Sequence, residues 1–161
     1  MIRKISHNRS AFTLVEIMIV VAIIGLLAAL ALPAFAKARR QSMEKSFVED
    51  IRIFEGGILT YAQTYGQYPA DGPTGGLPVG MTPDDFKGTT WGTRTPMGGT
   101  WDYDANNAAC GNCKAAITVI IATDANDPTW KEVDALIDDG DLTTGNFRII
   151  RSDRYSYVIE Q

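Results

Sequence analysis

Twenty consecutive residues, Ile17 to Ala36, carry no charge and no polar side chain. Wound as a helix at about 1.5 Å per residue, such a run spans about 30 Å, the hydrocarbon thickness of a bilayer. One carboxylate, Glu16, stands at its N-terminal edge, inside the apolar stretch that begins at Phe12. An ionised acid in a membrane helix costs about 2.5–3.5 kcal/mol on insertion scales, so it calls for a partner. The next basic residue toward the C-terminus is Lys37, and behind Glu16 the nearest is Arg9, seven residues back. The residues therefore point to a partner that the chain as written does not supply.

Ahead of this run, Met1 to Ala11 carries Arg3, Lys4 and Arg9 and no acid. Ala11 precedes Phe12-Thr13-Leu14-Val15-Glu16; Gly25 lies within the run, Pro33 near its end, and a helical pattern follows. This constellation, over roughly residues 1 to 65, resembles the prepilin signal of type IV pilins and type II secretion pseudopilins. The resemblance implies that a membrane prepilin peptidase cuts after Ala11, where relatives usually carry glycine, and methylates the new amine of Phe12. It also supplies the missing partner. The ammonium on Phe12 of a neighbouring subunit can pair with Glu16 in a low dielectric, where an unpaired charge is worst off.

A plain secretory signal is the competing reading, since Ala34-Phe35-Ala36 has the small-x-small form of a cleavage site. It would release a soluble binding protein beginning at Lys37. An ordinary signal core is only about 7–15 residues, however, shorter than this run. Arg3, Lys4 and Arg9 before the span are matched by Lys37, Arg39 and Arg40 after it, so charge alone leaves orientation open. The resemblance implies a single inner-membrane pass with a cytoplasmic leader and a periplasmic head.

Without Arg3, Lys4 and Arg9, the chain keeps 12 of its 15 basic residues against 19 acids, net −7. Such a balance argues against a protein that tracks nucleic-acid phosphates. The single histidine, His7, lies in the leader, which removes histidine-based triads and metal sites from the rest. No phosphate-cradling glycine loop is present, so the pattern reads as non-enzymatic.

Beyond the membrane run, Met43, Phe47, Ile51, Phe54, Ile58, Tyr61 or Ala62, and Tyr65 recur at steps of three and four, one helical stripe. Arg39, Arg40, Glu44, Lys45, Glu49, Asp50 and Arg52 form the expected solvated face. Pro33 removes a helical hydrogen bond and predicts a kink, with Gly25 as a second weak point in the run. Gly56-Gly57 costs about 1 kcal/mol per glycine relative to alanine. The domain boundaries expected are a leader 1–11, a long helix 12–65 whose residues 12–36 form the transmembrane or filament-core part, and a head 66–161.

Residues 66–99 hold nine glycines and five prolines in 34 positions, which excludes helix or central strand. Thr82-Pro83-Asp84-Asp85 reads as one short helical turn capped by Thr82. Tyr68, Trp91 and Trp101 are expected to pin this loop to the head. Strands are predicted at 100–104, 116–122, 147–150 and 155–159, the last two as a hairpin around Arg151-Ser152-Asp153-Arg154. A short helix capped by Asp127 and ending at Gly140 lies between them. The expected fold is α+β, a long N-terminal helix packed on a small antiparallel sheet, which is also the fold the resemblance implies.

Two constellations could carry chemistry. Cys110-Gly111-Asn112-Cys113 has the spacing of a redox motif, but a strand-like run follows where such a motif needs a helix. A local disulfide or free thiols are the plainer readings, and zinc would need two more ligands. Asp138, Asp139 and Asp141 offer the clustered oxygens that calcium prefers, though not at EF-hand spacing. No other cofactor is expected. The reading is a filament subunit, most closely a type II secretion pseudopilin by the short head and the Tyr65-Gly66-Gln67-Tyr68-Pro69 segment. A surface type IV pilin serving adhesion, motility or DNA uptake is the alternative. Its implied partners are the prepilin peptidase, copies of itself, minor pilins or pseudopilins, and an inner-membrane assembly platform.

Overall fold

The computed structural model describes residues 12–86, 91–106, 110–121 and 128–161. The chain divides into two compact units, residues 1–40 and 41–161. A single helix, α1 (Leu14–Tyr65), contributes to both.

In the first unit every described residue up to Arg39 is exposed. Thr13 starts the helix: its hydroxyl oxygen accepts the Glu16 N–H at 3.2 Å, and its carbonyl accepts the Ile17 N–H at 3.4 Å. Pro33 lies inside α1, which continues through it.

The second unit is built on four antiparallel strands, β1 (Thr100–Asp104), β2 (Ala115–Ile120), β3 (Phe147–Arg151) and β4 (Arg154–Glu160), in the order β1-β2-β4-β3. A nine-residue helix, α2 (Thr129–Ile137), precedes β3. Alternation sends Trp101, Tyr103, Ile117, Val119, Phe147 and Tyr155 into one core with the stripe Phe47, Ile51, Phe54 and Ile58 of α1. Phe47 stacks on Trp101 with ring centroids 4.8 Å apart, and Phe54 meets Trp91 and Trp101 edge-on at 4.6 and 5.1 Å. Trp130 of α2 stacks on Tyr155 at 4.5 Å. The fold is α+β, a long helix packed on a small antiparallel sheet.

Several details depart from the sequence pattern. Glu44, placed on the solvated face, is buried, because it sits three and four residues before Phe47 and Val48 and so shares their stripe. Tyr65, assigned to the stripe, is 64% exposed in the last turn. Strand β1 does not alternate between core and solvent; Asp102 and Asp104 are buried on the sheet's other face. There the Gly75 N–H donates to Asp102 at 3.0 Å, the Thr118 hydroxyl donates to Asp104 at 2.6 Å, and Arg154 lies 3.5 Å from Asp102. Burial is the largest influence on the Asp102 carboxyl and raises its pKa, against the lowering effects of the Gly75 N–H and Arg154.

The glycine- and proline-rich segment is ordered by what it packs against. Trp91 and Trp101 are both buried, and the Trp91 indole N–H donates to the Gly76 carbonyl at 2.6 Å. The Tyr68 hydroxyl donates to Glu160 at 2.8 Å. Thr82 precedes a single 3-10 turn, Pro83–Asp85, in which the Asp85 carboxylate accepts both the N–H and the hydroxyl of Thr82. Gly57 of α1 lets this turn approach: a Cβ there would lie 2.7 Å from the Asp85 carbonyl oxygen and 2.8 Å from the Phe86 ring. The predicted Asp127 cap and the end of the 116–122 run at Ala122 fall outside the described residues. Pro128 stands at the cap position of α2 instead, already helical at φ −59°.

Candidate functional site

The most unusual surface is the first half of α1. Phe12 is 77% exposed, Leu30 78% and Phe35 73%, and even the least exposed large apolar residues of the run are about half open. Contiguous apolar patches of this extent mark a membrane or protein contact. The helix is long and apolar enough to cross a bilayer, with a mean hydropathy of 2.8 over its best 18-residue window.

Glu16 sits in the first turn of this helix, four residues after the exposed Phe12. The helix dipole favours a negative charge there by about 0.3–1 kcal/mol, less than the cost of taking that charge into hydrocarbon. Thr13-Leu14-Val15-Glu16 has the spacing of a capping box, a signal for the helix start that the apolar pattern overshadowed. Ala11 lies outside the described residues. At Gly25 a Cβ would meet nothing within 4 Å, so neighbours in this chain do not require the glycine.

The acidic segment after α2 is organised differently from the expectation. Asp138 and Asp139 come together with Asp134, one ligand oxygen of each lying within 4.8 Å of the others. Asp141 is not in that group; one of its oxygens accepts the N–H and hydroxyl of Thr143 at 3.0 and 2.7 Å. Asp134 is fully buried, and neither of its carboxylate oxygens accepts a hydrogen bond from an N–H or an alcohol hydroxyl. Burial first, then the adjacent Asp138 and Asp139, push its pKa up to about 7. Burial also acts to raise Asp138, but hydrogen bonds from a protonated Asp134 and from the N–H groups of Asp139, Asn146 and Phe147 outweigh it and hold this carboxyl low. Sequence reasoning missed Asp134. The available signal was its position four residues before Asp138, which puts both carboxylates on one face at the end of α2.

Cys110 and Cys113 form a disulfide with Cα atoms 5.6 Å apart, both buried against Ala116 and Val158. Gly111 and Asn112 between them have φ of 76° and 62°, the left-handed conformation that glycine and asparagine tolerate best. Strand β2 follows at Ala115, so among the described residues no helix starts after the sulfurs.

The family profile described as a prokaryotic N-terminal methylation motif matches residues 6–32. The type IV major pilin protein PilE1 of Neisseria gonorrhoeae is 37% identical over 82 residues, 50% of this chain and 47% of that protein. The type IV major fimbrial protein FimA of Dichelobacter nodosus is 35% identical over 115 residues, 68% of this chain and 66% of FimA. The fimbrial protein EcpC of Eikenella corrodens is 41% identical over 69 residues, 43% of this chain and 45% of that protein. The chain thus spans about half the length of PilE1 and about two thirds of FimA. No solved structure matches it significantly. These relatives are named as pilins and fimbrial proteins, none as an enzyme. With the methylation motif, the exposed apolar half of α1 and the α+β head together on one chain, it belongs to the type IV pilin and pseudopilin family.

Proposed function

We propose that the chain is made as a membrane-held prepilin and becomes a structural subunit of a type IV-like filament. The observation that carries this reading is an apolar helix face exposed along its whole length with a single acid, Glu16, in its first turn. Before assembly the bilayer covers that face. After a prepilin peptidase cuts between Ala11 and Phe12 and methylates the new amine, helices of other subunits cover it. Dispersed over neighbouring helices, the apolar run exchanges lipid for protein contacts at small net cost, and the charge decides the register. Glu16 accepts the Phe12 ammonium of an adjacent copy, replacing an uncompensated charge with a pair.

The relatives' names favour a pilus on the cell surface. The type II secretion pseudopilin reading rests on the short head and the Tyr65–Pro69 segment. Either filament is extended by an inner-membrane assembly platform, with minor pilins or pseudopilins as further partners. Deleting the chain separates the two: loss of surface fibres supports the pilus, and loss of an exported enzyme with fibres intact supports the pseudopilus.

The assembly role is tested by Glu16→Val. Removing the charge leaves membrane insertion as good or better, so the variant accumulates in the membrane fraction, while filaments fall at least tenfold. Filaments at normal number and length from Glu16→Val would overturn the role given to this residue.

A further inference from the structure

The apolar run of α1 ends abruptly in cations. Lys37 follows Ala36 directly, Arg39 and Arg40 stand within the next turn, and α1 continues through all three. Lys37 and Arg39 are exposed, and Arg40 is partly exposed. No acid lies between Glu16 and Glu44, so neither Lys37 nor Arg39 has a carboxylate within one helical turn on either side. With the leader in the cytoplasm, these cations stand on the far side of the bilayer, where the positive-inside bias disfavours them. They call for a negative partner outside their own stretch of helix.

Their arrangement around the helix narrows the choice. At about 100° per residue, Arg39 and Arg40 point about 200° and 300° away from Lys37, a collar rather than a stripe. A protein docked on one face of the helix meets one or two of these charges. A layer of phospholipid headgroups surrounds the helix and meets them all. The depth agrees: a run from Ile17 to Ala36 spans about 30 Å, which puts Lys37 at the hydrocarbon boundary and the arginines among the phosphates.

We propose that Lys37, Arg39 and Arg40 bind anionic phospholipid headgroups on the membrane face opposite the leader. The collar rests on the membrane-held form proposed above. Each guanidinium offers paired N–H donors to phosphate oxygens, and the Lys37 ammonium reaches the same layer on its flexible stem. Zwitterionic headgroups carry the same phosphate together with an ammonium that repels the collar, so lipids of net negative charge are preferred. The collar fixes the depth of the helix and gives up its headgroups when a subunit leaves the bilayer for a filament.

The test reconstitutes the full chain in phosphatidylcholine vesicles that contain spin-labelled phosphatidylglycerol or spin-labelled phosphatidylcholine. Lipid in contact with the protein is immobilised and gives its own component in the electron spin resonance spectrum. That component should favour phosphatidylglycerol by at least about threefold at low salt, and the preference should shrink at high salt. Lys37→Gln/Arg39→Gln should remove most of the preference, whereas Arg3→Gln/Lys4→Gln, in the leader, should keep most of it. Equal amounts of the two lipids, or a preference undiminished in Lys37→Gln/Arg39→Gln, would overturn the collar and leave the membrane-held form standing. No immobilised component with either lipid would overturn that form and the collar together.

Discussion

Gly56 and Gly57 are adjacent in α1 and share a helical backbone, yet they have opposite surroundings. A Cβ at Gly56 would meet nothing within 4 Å, whereas at Gly57 it would strike the Asp85 carbonyl and the Phe86 ring. Helix propensity favours alanine over glycine by about 1 kcal/mol at both positions. At Gly56 that gain stands alone; at Gly57 overpacking costs about 1–3 kcal/mol and must displace a backbone carbonyl. Gly56→Ala should therefore leave unfolding free energy equal or up to about 1 kcal/mol higher. Gly57→Ala should lower it, and urea unfolding of the two variants reads the difference. Glu44 shows the same dependence on neighbours: its charge suggested solvent, and its position one turn before Val48 placed it in the stripe.

At the scale of elements, the junction of α2 and β3 is where stability should respond to pH. Asp134 is raised to about 7 in the folded chain from an ordinary value near 3.8, with burial first and Asp138 and Asp139 after it. Between those values the folded state holds a proton that the unfolded state releases. Stability contributed by this group is thus present at low pH and lost as pH rises from about 4 through 7. The loss is on the order of a few kcal/mol. Denaturant unfolding at several pH values, compared with Asp134→Asn, isolates it: the variant should show a flatter profile, and parallel profiles would contradict the assignment.

The elements themselves were largely legible. Strands β1 to β4 fall where β-branched and aromatic runs lie between turn residues, and the α1 stripe follows its period of three and four. What the sequence could not show was set by distant contacts. Burial of both faces of β1 depends on Gly75, Thr118 and Arg154 reaching Asp102 and Asp104 from elsewhere in the chain. Grouping Asp134 with Asp138, while Asp141 turns to Thr143, depends on the turn that ends α2. Glu16 was legible because one charge beside a long apolar run is visible without a structure.

For the whole molecule, the account joins two requirements on one chain. The head has a core of its own, in which Phe47, Phe54, Trp101, Trp130 and Tyr155 interlock. The first half of α1 exposes an apolar surface long enough to cross a bilayer, which the proposed function gives first to lipid and then to other subunits. On the proposed function, the passage from the first use to the second depends on a cut that leaves a new ammonium on Phe12. Mass spectrometry of the N-terminal peptide from purified filaments measures this directly. The account predicts a peptide beginning at N-methylated Phe12; filaments whose subunits retain residues 1–11, or a secreted chain beginning at Lys37, would contradict it.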